Sequence, residues 1–255
     1  MIIIKGEKEI DLMRISSRIV AETLEMLHDF IKPGVTTKEI DDKVETYVFS
    51  QNAYPAFKGL YGFPASACVS VDEEVVHGIP SPKRVLEEGQ FVSVDVGVRY
   101  KEYHGDAAYT FPVGKVSPEK KKLMDVTWES LVLGISNARA GNRLRDISAA
   151  IQTHAESNGF SVVRELVGHG VGKDLHEDPQ VPNYGVAGRG PLLKSGITLA
   201  IEPMINYGNK NIHQLDDGWT VVTNDRLPSA HYEHTVLIQD GEPEILTNHS
   251  LSPLG

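Results

Sequence analysis

The sequence contains very little cysteine: Cys68 is the only one among 255 residues. A single thiol cannot form an internal disulfide, which favours a reducing, cytoplasmic location over a secreted, disulfide-stabilised fold. Long apolar runs are also absent. The N-terminal run, residues 2–4, is too short for a signal peptide. No window approaches the roughly 20 apolar residues that a membrane-spanning helix needs. We therefore expect a cytoplasmic protein with no membrane partner.

Positive charge is the second deficit, because 25 Lys and Arg residues face 35 Asp and Glu residues and give a net charge of -10. An acidic surface repels phosphate backbones, so a direct nucleic-acid partner is not expected. The remaining composition, 40% hydrophobic and 24% charged, is ordinary for a globular protein. The length fits one large catalytic domain over residues 1–255, and we expect a monomer.

The N-terminal part has a helical pattern. Apolar residues recur at spacings of three and four from Ile10 to Ile31, which predicts an amphipathic helix that ends at Lys32-Pro33-Gly34. A second helix is predicted after Thr36, because Glu39 follows three residues later and the two can form a capping box.

The pattern then becomes extended and returns to helical. Residues 91–96 alternate as in a strand, and a second extended run from Gly105 to Phe111 predicts a hairpin. Ser117-Pro118 has the residues of a helix start, with Ser at the N-cap and Pro in the first turn. Another helix is predicted after Gly141-Asn142.

An internal repeat relates the two halves of the chain. A shift of 107 positions places Gly34 on Gly141 and Asp95 on Glu202, and a shift of 127 places the segment 104–106 on 231–233. Each half, roughly residues 1–115 and 116–250, therefore has two helices followed by a strand hairpin that carries two acids. We expect an α+β fold in which two similar αβ halves face each other about a pseudo-twofold axis, with an antiparallel sheet core and outer helices.

The four acids of the repeat are Asp95, Asp106, Glu202 and Glu233. Carboxylates within apolar strands are costly to bury alone, and four of them close together repel one another. Two divalent cations would remove both costs. His169 lies in a glycine-rich segment, 168–172, that lets the backbone approach a site closely. A neutral imidazole is a common addition to carboxylate ligands. The set suits two ions of Co, Mn, Fe or Zn and does not choose among them.

Seven short motifs, in order along nearly the whole chain, resemble those of type I methionine aminopeptidases, which have the pita-bread fold. They are Val75-Val76-His77-Gly78-Ile79-Pro80, Val94-Asp95-Val96, His104-Gly105-Asp106, Gly168-His169-Gly170-Val171-Gly172, His176-Glu177-Asp178-Pro179-Gln180-Val181, Ile201-Glu202-Pro203 and Tyr232-Glu233-His234-Thr235. Each motif alone is weak, whereas together they are specific. The resemblance implies that initiator methionine is removed from nascent proteins and peptides when the second residue is small.

The resemblance also implies residue roles. The five metal ligands are Asp95, Asp106, His169, Glu202 and Glu233. Glu202 also moves a proton, while His77 and His176 bind and act on the substrate without binding metal.

An apolar methionine pocket is implied as well. Its residues are Phe57, Leu60, Phe63, Cys68, Leu175 and Trp219. Three of them depart from the family pattern, because Leu60 and Phe63 stand where tyrosines are usual and Leu175 where phenylalanine is. The expected partners are N-terminal methionyl peptides and nascent chains, with ribosome association a further possibility.

Three alternatives remain open. A proline-specific (Xaa-Pro) peptidase of the same fold usually has an added N-terminal domain, for which helices beginning near residue 7 leave no room. Type II methionine enzymes carry an inserted helical subdomain, and the gap from Glu202 to Glu233 is too short for it. A non-catalytic pita-bread binding module would lose ligands, and none of the five is missing.

Overall fold

A computed structural model describes residues 1–253, so the last two positions of the predicted 1–255 domain lie outside the described residues. Within this range there are four α-helices: α1 (Glu7–His28), α2 (Thr37–Ser50), α3 (Pro118–Ser136) and α4 (Leu144–Ser157). The strands are β1 (Tyr54–Pro55), β2 (Cys68–Val71), β3 (Glu74–Val76), β4 (Phe91–Tyr100), β5 (Tyr103–Pro112), β6 (Ser161–Val162), β7 (Gly168–Gly170), β8 (Glu177–Val181), β9 (Thr198–Ile201), β10 (Met204–Asn206), β11 (Ile212–Gln214), β12 (Val221–Thr223), β13 (Ser229–His231), β14 (His234–Leu237) and β15 (Glu244–Ile245).

The predicted helices are present, and their starts follow the capping chemistry. The Thr36 hydroxyl accepts a hydrogen bond from Glu39 N, and Thr36 N donates to the Glu39 carboxylate. The Ser117 hydroxyl likewise accepts from Lys120 N at the start of α3. The predicted end of α1 at residues 32–34 is wrong, because the helix ends at His28.

The physical reason for the early end of α1 is a tighter turn. Leu27 O accepts from Phe30 N, three residues on, at 3.1 Å and also from Ile31 N, four residues on, at 2.9 Å, so the last turn is mixed and the helix ends before Pro33. Ile31, outside the helix, is nevertheless buried against the core. The spacing of Ile31 from the apolar residues of α1 therefore indicates that Ile31 is buried, and does not indicate that it belongs to the helix.

Two antiparallel sheets hold the long hairpin and its counterpart in the second half. Strands β4 and β5 pair from Phe91 opposite Pro112 to Tyr100 opposite Tyr103, which confirms the predicted hairpin, and β4 also pairs with β2 and β1. In the second half the strand order is β15-β14-β9-β7-β8. Two three-stranded sheets have the orders β13-β10-β6 and β11-β12-β3, and the second pairs β3 of the first half with β12 of the second half.

The pseudo-twofold relation appears in small details of the backbone. Gly34 and Gly141, which the 107-residue shift superposes, both have φ of 93°. The isolated bridge between Thr36 and Val85 recurs at the same shift between residues 143 and 192. Left-handed φ values favour glycine, so the two halves need it at the same turn. The predicted α+β fold with two related halves is confirmed. That the chain forms a single domain stays a prediction.

The halves meet along the inner strands. Glu233 N donates to Ala108 O at 2.9 Å, and the Thr235 hydroxyl both accepts from Asp106 N and donates to Asp106 O. The largest buried cluster contains side chains of both halves, Leu24 and Ile201 among them. The inner strands therefore bring Asp106 of the first half close to Glu233 of the second. Among residues 1–253, no helix has the length and apolar character needed to span a membrane.

Candidate metal centre and substrate cavity

The four repeat acids converge where the halves meet. Asp95 and Asp106 project from neighbouring strands β4 and β5, Glu202 follows β9 directly, and Glu233 lies between β13 and β14. The ligand atoms of Asp106, His169 and Glu233 lie within 4.8 Å of one another. All four carboxylates line one cavity. The structure thus brings together every acid that the repeat singled out.

Three of these carboxylates have an oxygen without a partner. Asp95 Oδ1, Asp106 Oδ1 and Glu233 Oε1 are buried and, among the described residues, receive no hydrogen bond. Burial raises the pKa of Asp95 to about 7 and raises the pKa values of Asp106, Glu202 and Glu233 well above their ordinary range. Neighbouring carboxylates add to the rise for the last three. Buried, unpaired and mutually repelling oxygens are what divalent cations would compensate, so the residues fit a metal centre.

His169 is oriented toward the acids. Its Nδ1 pairs with Gly170 O at 2.9 Å, while its Nε2 lies 3.6 Å from Glu202 Oε1 and 3.8 Å from Asp106 Oδ2. Burial lowers the pKa of His169 to about 4, so the ring is neutral. If Nδ1 carries the proton and donates it to the carbonyl, Nε2 keeps its lone pair, which is the usual arrangement for a metal-binding histidine.

A cavity of about 550 Å³ opens above the acids. Its apolar wall includes five of the six predicted pocket residues: Phe57, Leu60, Phe63, Cys68 and Trp219. The sixth, Leu175, does not line the cavity. It is buried behind the wall, in contact with the cluster that contains Phe57, Phe63 and Cys68. Leu175 therefore supports the wall and does not form its surface.

His77 follows β3 and also lines the cavity. Its φ is 59°, which is unusual for a residue with a side chain and marks a strained position of the kind found at functional sites. The next residue must be glycine, because a Cβ at Gly78 would lie 2.3 Å from Val69 O. Burial lowers the pKa of His77, which keeps its ring neutral.

His176 lies beside the metal centre without joining its acids. Its ring meets that of His169 edge to face at a centroid distance of 4.5 Å, and it too lines the cavity. Burial lowers the pKa of His176 as well. The following residue, Glu177, forms a buried ion pair with Lys5 at 2.6 Å. Two neutral imidazoles, His77 and His176, thus face the cavity and can act as hydrogen-bond donors.

Two residues at the site had no assigned role from sequence. Tyr61 lines the mouth of the cavity, is 78% exposed and stacks on the ring of His176. His231 is 1% exposed, and its Nε2 lies 3.7 Å from Glu202 Oε2. The repeat held a signal for His231: it is two residues before Glu233 on extended chain, so both side chains project to the same face.

Comparison with known proteins shows close similarity over nearly the whole chain. The profile of metallopeptidase family M24 matches residues 11–240. A methionine aminopeptidase of Clostridium perfringens is 54% identical over 247 residues, which is 97% of this chain and 99% of that protein.

Solved structures agree with this similarity. The crystal structure of methionine aminopeptidase from Thermotoga maritima has a TM-score of 0.96 and 46% identity, covering 97% of this chain and 100% of that one. A prolidase from Pyrococcus furiosus has a TM-score of 0.78 with 23% identity, and covers 96% of this chain and 65% of that one. The prolidase likeness shows a shared fold alone.

Proposed function

Because the chain belongs to metallopeptidase family M24, we propose that this enzyme removes the N-terminal methionine from nascent proteins and peptides and favours a small second residue. One observation carries the proposal: a cluster of four carboxylates and His169 lies at the floor of a cavity whose wall is apolar. The floor suits hydrolysis, and the wall suits a flexible thioether side chain.

Members of the family use divalent metal. We assign two ions to Asp95, Asp106, His169, Glu202 and Glu233, with Co, Mn, Fe and Zn as the candidates. When bound, such ions lower the pKa of water and polarise a carbonyl oxygen. The unpaired buried oxygens of Asp95, Asp106 and Glu233 support this assignment.

The remaining steps fall to side chains of the chain itself. Glu202 lines the cavity and is assigned to take the proton of the attacking water and pass it to the leaving amine. His176 is assigned to donate a hydrogen bond to the oxyanion of the tetrahedral intermediate, and His77 to contact the scissile amide nitrogen. Both rings are neutral because burial lowers their pKa values, so each has one N–H to donate at neutral pH.

The first-residue pocket is assigned to the apolar wall. Phe63 and Trp219 pack edge to face at 5.1 Å and form its rigid part, with Cys68 beside them. Leu60 and Phe57 complete the wall, and Leu175 supports it from behind. A rigid apolar slot selects for methionine by burying its side chain, while the charged floor holds the free amine and the carbonyl.

The proline-specific alternative is less well supported. The likeness to prolidases is a likeness of fold, whereas identity above one half links the chain to methionine aminopeptidases. The non-catalytic alternative is set aside, since the chain is a hydrolase of family M24. We further propose that the protein is a monomer located in the cytoplasm. It associates with the ribosome to reach nascent chains and does not bind nucleic acid directly.

A peptide panel tests the proposal. We expect the metal-loaded enzyme to cleave Met-Ala peptides well, Met-Lys peptides poorly and Ala-Pro peptides hardly at all. The control is the Asp95→Asn variant, purified in parallel, which excludes a contaminating host aminopeptidase. Faster turnover of Ala-Pro than of Met-Ala would favour the proline-specific alternative instead.

A further inference from the structure

His231 is a buried histidine with an unused nitrogen. It is the last residue of β13, is 1% exposed, and its Nε2 has no hydrogen-bond partner among the described residues. Leaving a buried polar nitrogen unpaired is costly, so such a group calls for an explanation. The nitrogen is close to the acids, since ligand atoms of Glu202, His231 and Glu233 all lie within 4.8 Å of one another.

The distances resemble those of an assigned ligand. His231 Nε2 lies 3.7 Å from Glu202 Oε2, and His169 Nε2 lies 3.6 Å from Glu202 Oε1. The two imidazoles therefore flank Glu202, one beside each oxygen. Both distances exceed those of an ordinary hydrogen bond. Each distance is short enough for the imidazole nitrogen and the carboxylate oxygen to bind the same ion, because metal–donor bonds of about 2.1 Å allow two donors to lie up to roughly 4.2 Å apart.

Other roles for His231 fit the structure less well. His231 is not among the described residues that line the cavity, so a direct contact between His231 and the substrate is not indicated. Its counterpart in the first half, His104, has a different environment, because His104 Nδ1 pairs with Gly172 O at 3.1 Å. The unused nitrogen therefore belongs to the second half alone, on the side of Glu202 opposite His169.

We propose that His231 is a second nitrogen ligand of the metal centre and binds the ion held by Glu202 and Glu233. The inference rests on the proposed function in one respect, namely that the carboxylate cluster holds divalent metal. It adds a sixth protein ligand to the five that the family resemblance implies. A second imidazole replaces a water or an open position, so it makes that ion's site more selective for borderline metals over Mg or Ca.

The experiment follows the histidine ring nitrogens while Zn²⁺ is titrated into the metal-free protein. The protein is labelled with ¹⁵N-histidine, and the ring signals are assigned with His169→Gln and His231→Gln variants. We expect the Nε2 signals of both His169 and His231 to move to the chemical-shift range of metal-bound imidazole. The exposed His28 provides the matched control, so His28→Gln should leave both shifts unchanged.

Calorimetry gives a second readout on the same variants. His231→Gln should weaken one Zn²⁺ binding step by more than the roughly 10–100-fold typical of losing only an outer partner of a ligand. A smaller loss would place His231 outside the coordination sphere and overturn the inference. Should His231→Gln fail to fold, His231→Asn takes its place for both the assignment of the ring signal and the titration.

The outcomes separate the inference from the function on which it rests. If the His169 signal moves and the His231 signal does not, the metal centre stands and the inference is wrong. If neither signal moves while Zn²⁺ is present in excess, the metal centre itself is wrongly placed. Movement of both signals, lost selectively for each in its own variant, supports the inference.

Discussion

The buried ion pair between Lys5 and Glu177 offers a sharp test of how the site is held. Lys5 Nζ donates to Glu177 Oε2 at 2.6 Å, and the two side chains are only 2% and 5% exposed. The pair packs over Gly172, where an added Cβ would lie 2.2 Å from Glu177 Oε1. Gly172 belongs to the segment that joins His169 to His176. The pair therefore fixes the backbone between a proposed ligand and a proposed catalytic residue.

The variant Lys5→Met removes one partner and leaves the Glu177 carboxylate buried without its cation. Such a change costs about 3–5 kcal/mol in the free energy of unfolding. For a protein of this size each kcal/mol lowers Tm by roughly 2–4 °C, so Tm should fall by about 6–20 °C. Because Glu177 adjoins His176, we also expect kcat on Met-Ala peptides to fall, with little change in KM.

Differential scanning calorimetry with steady-state kinetics measures both effects. The control is Lys58→Met, which breaks an exposed pair with Glu45 whose side chains are 48% and 27% exposed, and should cost at most about 1 kcal/mol. The double variant Lys5→Met/Glu177→Leu removes both charges and should recover much of the lost stability. A Tm loss for Lys5→Met no larger than for Lys58→Met would refute the reasoning.

The remaining variants separate residue roles at the site. His77→Ala and His176→Ala should each keep metal affinity and lose about 10²–10³ in kcat/KM, measured by calorimetry beside kinetics, because each removes one transition-state hydrogen bond. His169→Ala should instead bind metal weakly and recover partly in excess metal; equal metal loss in His176→Ala would show His176 to be a ligand. A thiol reagent should slow turnover by modifying Cys68 in the cavity wall, and a methionine-like inhibitor should protect; a Cys68→Ser protein that stays fully sensitive would contradict that placement.

Much of the fold could be predicted because local patterns and the repeat agree. The capping box of Thr36 and Glu39, the Ser117 cap and the alternation of residues 91–96 specify elements through local chemistry alone. The repeat then relates Asp95 to Glu202 before any contact is known. Its accuracy has a physical basis, since the turn glycines Gly34 and Gly141 adopt the same left-handed φ. A sequence pattern that two halves share is evidence of shared geometry.

Other features depend on tertiary geometry that no local pattern records. The end of α1 is one, because Ile31 is buried by the turn after His28 and so imitates a helical residue. Leu175 is another, since apolar character does not distinguish the surface of a cavity wall from its support. The contact of His231 with Glu202 is a third. The position of His231 two residues before Glu233 indicates its face of the chain, but its counterpart in the repeat, His104, has another partner, so the repeat does not predict the contact.

The measurement that tests the central claim most directly is the turnover of a Met-Ala peptide with and without metal. The protein is stripped with a chelator, its residual metal is quantified by elemental analysis, and Co, Mn, Fe or Zn is then returned in steps. The carboxylate cluster predicts that activity is lost on stripping and returns as metal binds, with about two ions bound per chain at saturation. Full activity in protein shown to be metal-free would contradict the account.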